Sequence, residues 1–585
     1  MKFHLQFAFL LAFALFFSTF PLKAQERFEG DSRQQLDVLH KIERAYQSNR
    51  LTLDQKVLFK FYALTNPQKL PFEFQPQDSL PIKCGTPIIR EFHSYRQELS
   101  TSTVQKVETM TGRYKMQAVE IHRSPSGRFL IYYEISGEDA VPNADSTGNG
   151  VPDYVDEVAE AADYSYQQEV LNLGYSNPIP AGDTYEIEIA DLDLFYGQTY
   201  ISNGTTVIQI ENDFSENFPP NDHPEGDVIG AIKATIAHEL KHAIQYAATQ
   251  WSGETDLWSE MDATLMEEVV YDQVNDYYNY INNSASIFES PASSFYPGSY
   301  YHVSWALFFE ERYGPDFWPR VWDIIVANPD IRMVNAMSEQ LGSSAAFQRA
   351  YIESQLWHFA SGPQNSPPNY GFEEREAYPD PTINYYLLGA DSLIAPSIST
   401  DSLQPFSANY FNVQPSTFSG YVTVGLTDVS IPEAGLGIIG YFNDGTTETA
   451  VLYTEGGGAI EYQTTWAWSD LTRMGIVVAN GSETESTGYR IFVRSEDPQI
   501  VQLMQNYPNP FYPETIIQFS LPEQSKVELK VYDITGRLVR TLRNTILPEG
   551  YYEVPFDGSQ LASGVYFYRL ITDEGSFVKK MTLIK

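Results

Sequence analysis

One cysteine, Cys84, is present in 585 residues. A disulfide within the chain is therefore excluded, and a lone thiol in a chain with export features needs a role of its own. Basic residues are also scarce, 37 Lys and Arg against 76 Asp and Glu, for a formal charge of −39. Such a surface repels phosphate backbones and anionic membranes, which argues against nucleic-acid binding. Beyond Phe20 no apolar run approaches the length of a transmembrane helix, so no membrane span is expected. Histidines number only nine, which gives weight to any pair at meaningful spacing. What is abundant is Tyr (40) and Phe (35), as in β-rich extracellular proteins.

The N-terminus reads as a secretory signal over residues 1–24. Lys2 supplies a short positive region, and the apolar run from Phe7 to Phe20 is too short to span a bilayer. The remaining chain is too long for one hydrophobic core, so a multidomain protein is expected. Residues 25–118 read as a polar, mainly helical, propeptide-like leader. Residues 119–362 mix strand alternation, as in Tyr185-Glu-Ile-Glu-Ile, with long helical stretches, and read as an α+β unit. A Pro- and Asn-rich stretch, 362–378, reads as a linker. Short alternating strands over 379–498 read as a β-sandwich, and 503–585 as a second, smaller one.

Within the α+β unit, residues 238–242 read His-Glu-Leu-Lys-His, an H-E-x-x-H motif with no proline between 227 and 250. On a helix, residues four apart share a face, so His238 and His242 can hold one metal ion while Glu239 reaches a water on it. That is the zinc-and-base arrangement of metallopeptidases. Zinc needs a third protein ligand. The H-E-x-x-H-x-x-G-x-x-H pattern fails, because Gln245 and Ala248 occupy the places of its glycine and last histidine. Glu260, 18 residues after His242, is the first candidate. Glu267, one helical repeat further on, and its neighbour Glu268 are the fallbacks.

The spacing of Glu260 and its E-x-x-A setting resemble those of gluzincins such as the thermolysin and aminopeptidase groups. Three stretches, Gly148-Asn-Gly-Val-Pro-Asp-Tyr-Val-Asp, Ala237-His-Glu-Leu-Lys-His-Ala-Ile-Gln-Tyr and Glu260 to Glu268, resemble a group of secreted bacterial gluzincin-like metallopeptidases over roughly 200 residues. The resemblance implies a zincin-like catalytic domain and zinc-dependent cleavage of a protein or peptide substrate, with Glu239 as general base. A donor to the developing oxyanion is expected from Tyr301, or next from His302.

Two further motifs stand out. Asp145-Ser-Thr-Gly-Asn-Gly-Val-Pro-Asp-Tyr-Val-Asp fits a twelve-residue calcium loop. Its ligands would be Asp145, Thr147, Asn149, the Val151 carbonyl, Asp153 and Asp156, with Gly150 at the sharp turn. Read without an ion, it is an Asp/Asn turn capping a helix. Pro81-Ile-Lys-Cys-Gly-Thr-Pro resembles the cysteine-switch segment of matrix metalloproteinase propeptides, with Lys83 where arginine is usual. That resemblance implies a Cys84 thiolate on zinc's open position in a zymogen; otherwise Cys84 is a small buried packing residue.

Asn506-Tyr-Pro-Asn-Pro-Phe-Tyr-Pro-Glu-Thr and the strand pattern after it resemble the C-terminal sorting domain of the type IX secretion system over about 80 residues. This implies export across an outer membrane, with the secretion machinery as partner. Three readings follow: a secreted zinc endopeptidase with a propeptide, a non-catalytic surface adhesin on a peptidase-like fold, or another zinc hydrolase such as one acting on glycans. An intact Glu239 favours the first.

Overall fold

The structure is a computed structural model. It describes residues 38–75, 80–112, 119–192, 195–215, 218–253, 258–296, 298–387, 392–394, 402–415, 420–453, 458–496, 500–506 and 509–584. The expected signal peptide lies outside the described residues.

The leader forms helices α1 (Val38–Gln47), α2 (Leu53–Thr65), α3 (Thr86–Tyr95) and α4 (Thr101–Gly112). Val38, Ile42 and Ala45 recur at helical spacing and form the buried face of α1. A Thr52–Gln55 capping box starts α2, and Pro87 lies in the first turn of α3, where its missing N–H costs nothing. The leader is not wholly helical, however. Ile82–Cys84 is a strand, β1, and it belongs to the sheet of the following unit. Val57, Phe61, Ile88 and Phe92 of the leader share a core with Leu192 and Phe195 of that unit.

Next come β2 (Glu120–Arg123), β3 (Phe129–Tyr133), α5 (Asp153–Tyr166), β4 (Tyr185–Ile189), β5 (Phe195–Ser202) and β6 (Thr205–Ile210). With β1 they make one six-stranded sheet of order β1-β5-β6-β4-β3-β2. Strands β3, β4 and β6 are mutually parallel, β5 runs antiparallel to β6, and β1 lies parallel to β5 at the edge. Burial alternates along β3 and β4, as half-buried strands require. Helix α6 (Asp227–Thr249) packs against β5 and β6. Helices α7 (Ser259–Val270), α8 (Tyr278–Ile281), α9 (Val303–Tyr313), α10 (Phe317–Ala327), α11 (Met333–Leu341) and α12 (Ser344–Phe359) complete this α/β region.

Residues 362–378 are not a free linker. Phe372 and Tyr378 are buried in the main core, and the Arg375 guanidinium donates to the carbonyls of Pro367, Pro368 and Phe372. Proline content suggested a spacer, but the aromatic anchors and the carbonyls gathered by Arg375 fasten the segment down.

Two all-β units follow. In the first, a five-stranded and a four-stranded sheet enclose Val422, Leu436, Trp466, Ile476 and Ile491. Tyr410, Ile439, Val477 and Ala479 from it join the main core, which also contains Ile352, Leu356 and Phe359 of α12. The last unit pairs a three-stranded with a four-stranded sheet around Phe519, Val527, Leu529, Tyr568 and Leu570. No helix among the described residues is long and apolar enough to cross a membrane.

Candidate metal centre

Helix α6 carries His238, Glu239 and His242 in its buried middle. Glu260 lies in the first turn of α7, which packs alongside. Cys84 comes from the leader, at the end of β1. One ligand atom from each of Cys84, His238, His242 and Glu260 lies within 4.8 Å of the others, the one such cluster among the described residues. The two Nε2 atoms are 3.2 Å apart. His242 Nε2 is 3.0 Å from Glu260 Oε1, and His238 Nε2 is 3.5 Å from Glu260 Oε2.

The residues fit a zinc ion. Both Glu260 oxygens are buried, and despite the nearby imidazoles neither makes a well-directed hydrogen bond. A tetrahedron with bonds of about 2.0–2.3 Å has edges of roughly 3.3–3.7 Å, close to these nitrogen and oxygen separations. Two imidazoles, a carboxylate and a thiol also form a donor set that zinc favours. Electrostatics agree. Burial opposes charge on His238, yet Glu260 and Glu267 outweigh it and push its pKa up to about 10. Burial alone would raise Glu260, but His242 and His238 hold it well below the usual carboxylate range. The cluster thus calls for positive charge where the four side chains meet.

Outer partners hold both rings in the ligating orientation. Glu267 Oε1 is 2.7 Å from His238 Nδ1, and Gln245 Oε1 is 2.8 Å from His242 Nδ1. With a metal ion bound, a proton on each Nδ1 would be given to these oxygens and each Nε2 would face the ion. Gln245 in turn donates to the Ser259 carbonyl and to Asp262. Glu267 is therefore an orienting partner here, not a member of the ligand cluster. Glu268 lies apart from it, among Asp272, Glu311 and Glu374, and burial first and those charges next push its pKa up to about 10.

Glu239 is clamped from the sheet side. Thr199 of β5 donates to its Oε2 at 2.7 Å, and Thr86 of the leader does so at 3.3 Å. Thr86 also accepts the Thr199 N–H at 2.7 Å. Close approach of β5 to α6 needs Gly197, because a Cβ there would sit 2.8 Å from Thr235 and 3.1 Å from Glu239. Gly85 plays the same part for the leader, where a Cβ would meet Gln198 at 2.8 Å. Its N–H donates to the Gly197 carbonyl at 2.9 Å.

The expected oxyanion donors stand differently. Tyr301 is buried against Tyr300 and Tyr280. His302 is a structural residue: Nδ1 meets Ser299 at the start of its short helix, and Nε2 lies 2.9 Å from the Ala285 carbonyl. The loop 145–156 is closed by its own groups. Asp145 accepts from Thr147, Gly148, Asn149 and Gly150, Asp153 accepts from Ser146, and Asn149 bridges Asp156 and the Val151 N–H. These bonds make it an Asp/Asn turn leading into α5.

Comparison with known proteins bears first on the end of the chain. Residues 505–585 match the secretion system C-terminal sorting domain. That tail marks the protein for export to the cell surface or beyond and makes the type IX machinery its partner. No curated protein matches the chain. Among solved structures, the β-glucuronidase from Ruminococcus gnavus is similar at 10% identity, both apo and with D-glucuronic acid bound. The TM-score is 0.11, and about 30% of this chain is aligned with about a third of that one.

Two expectations follow for the metal centre. Purified protein should carry about one zinc per chain, and zinc at a hundred times its Kd should stabilise the fold by about 2.7 kcal/mol. Gln245→Ala should weaken zinc binding about 10–100-fold through the loosened His242 ring. Metal analysis and thermal melts with and without chelator check both. Deleting residues 506–585 should leave the metal centre folded and strand the protein in the periplasm; its normal recovery outside the cell would refute the sorting role.

Proposed function

We propose that this protein is an exported zinc endopeptidase, present here in its latent form. The observation that carries the reading is the convergence of His238, His242 and Glu260 beside a separately held carboxylate, Glu239. A zinc ion held by those three ligands would acidify water and polarise a peptide carbonyl. Glu239, held by Thr199, would take a proton from the attacking water and pass it to the leaving amine. Gln245 and Glu267 keep the ligating nitrogens aimed inward. Tyr301 is the proposed donor to the oxyanion, once the leader no longer covers its neighbour Tyr280. Tyr280 is now engaged by the leader through the Pro81 carbonyl and Lys83.

Cys84 supports latency. Its sulfur belongs to the ligand cluster, and β1 holds it there by pairing with β5. A thiolate in that place excludes the water on which the chemistry depends. The sorting tail suits an enzyme that must stay silent until exported. The adhesin reading would leave Glu239 and its two threonine partners without a purpose. Digestion of casein by the zinc-loaded, leader-released protein tests the proposal, and total inactivity on proteins would return the choice to the adhesin.

A further inference from the structure

Lys83 is the residue beside Cys84, and its side chain is 2% exposed. Its ammonium lies 2.6 Å from Glu267 Oε2, an ion-pair contact rather than a well-directed hydrogen bond, and it also pairs with Asp276. The ring faces of Tyr280 and Tyr196 lie 4.6 and 5.2 Å from Nζ, and the Tyr196 hydroxyl donates to Asp276 at 3.1 Å. Two carboxylates and two aromatic faces make a cage for a cation on an alkyl stem. Every wall comes from residues 196–280, and the leader supplies only the occupant.

We propose that this cage is a recognition pocket for a basic side chain, and that the active enzyme selects protein substrates with Lys or Arg next to the bond it cuts. The proposal rests on the peptidase reading above. Three observations support it. First, the cage adjoins the metal centre, because Glu267 holds Lys83 with one oxygen and His238 with the other. Second, the occupant is an extended segment paired with a sheet edge, the way peptides commonly dock. Third, withdrawing Lys83 takes from the buried Asp276 the cation it pairs with and leaves Glu267 only the His238 ring, an arrangement that another cation relieves. A neutral substrate residue cannot do so, and that difference is the source of specificity.

Two measurements test it. In the full chain, Lys83→Ala should loosen β1 and speed proteolysis of the leader. Millimolar n-butylammonium should restore protection and n-butanol should not, with Asp276→Asn removing the rescue. If Lys83→Ala fails to fold, Lys83→Arg and Lys83→Met replace it, with protection expected only in the first. Equal effects of amine and alcohol, or full protection in Lys83→Met, would overturn the proposal. Separately, the zinc-loaded, leader-released enzyme is given a proteome-derived peptide library and cut sites are read by mass spectrometry. Lys or Arg should be enriched at one position flanking the cut, and Asp276→Asn should lower that enrichment about tenfold or more. Cleavage with no basic preference would overturn the pocket. Amine-selective rescue with no peptide cut would sink the peptidase reading and uphold the pocket.

Discussion

Glu239→Gln will bind zinc as the wild type does and lose peptidase activity by about 10²–10⁴-fold, the range attributed to a positioned general base. Glu239 is adjacent to His238 in sequence, but the ligand cluster comprises Cys84, His238, His242 and Glu260, so the exchange leaves the ligands in place. The amide keeps the size of the carboxylate. Its oxygen can still accept from Thr199, whose hydroxyl is 2.7 Å from Oε2, so the local fold should survive. What it cannot do is take a proton. A fall in kcat at unchanged zinc content and unchanged melting temperature is the expected signature. Full activity in this variant would mean that some other group is the base. Loss of zinc would mean that Glu239 has a structural part in the site that its position does not indicate.

Residues close in sequence were legible before the structure; residues brought together by strand pairing were not. His238, Glu239 and His242 follow from helical spacing alone. Glu260 was legible through its resemblance to the gluzincin spacing, and the helix that carries it packs on the first. Gln245 was noticed only as a mismatch to another motif, although three residues after His242 it lies on the same helix face and could have been read as an orienting partner. Thr199 had no local signal, and it reaches Glu239 because β5 packs against α6. Lys83 and Thr86 stood out only as neighbours of Cys84 in its motif; they reach the site because β1 pairs with β5, residues more than a hundred positions apart, and no periodicity in a three-residue strand announces such a pairing. The stretch 362–378 shows a different weakness of composition. Its prolines marked a linker correctly as irregular backbone, yet Phe372 and Tyr378 make it part of the core. The β-rich end was legible in outline because alternating strands and turn residues need no distant partner to be recognised.

Cys84→Ser will make the full-length chain active without cleavage of the leader. Two anchors hold β1 over the site: the Cys84 sulfur at the ligand cluster and the Lys83 ammonium between Glu267 and Asp276. Serine keeps the size and the strand pairing but is a far poorer metal ligand than a thiolate. Each 1.4 kcal/mol removed from closure raises the open fraction tenfold, so losing a metal–thiolate bond should raise activity by about two orders of magnitude. Lys83→Met alone should do less, because the sulfur still fills the ligand position. The double variant should exceed either single one, as the two anchors restrain the same short strand. Casein digestion by the four full-length proteins, each with its zinc content measured, decides the matter. A Cys84→Ser chain as silent as the wild type, with zinc bound, would leave Cys84 only a packing role beside the histidines. The same result with an active double variant would instead assign latency to the charge of Lys83.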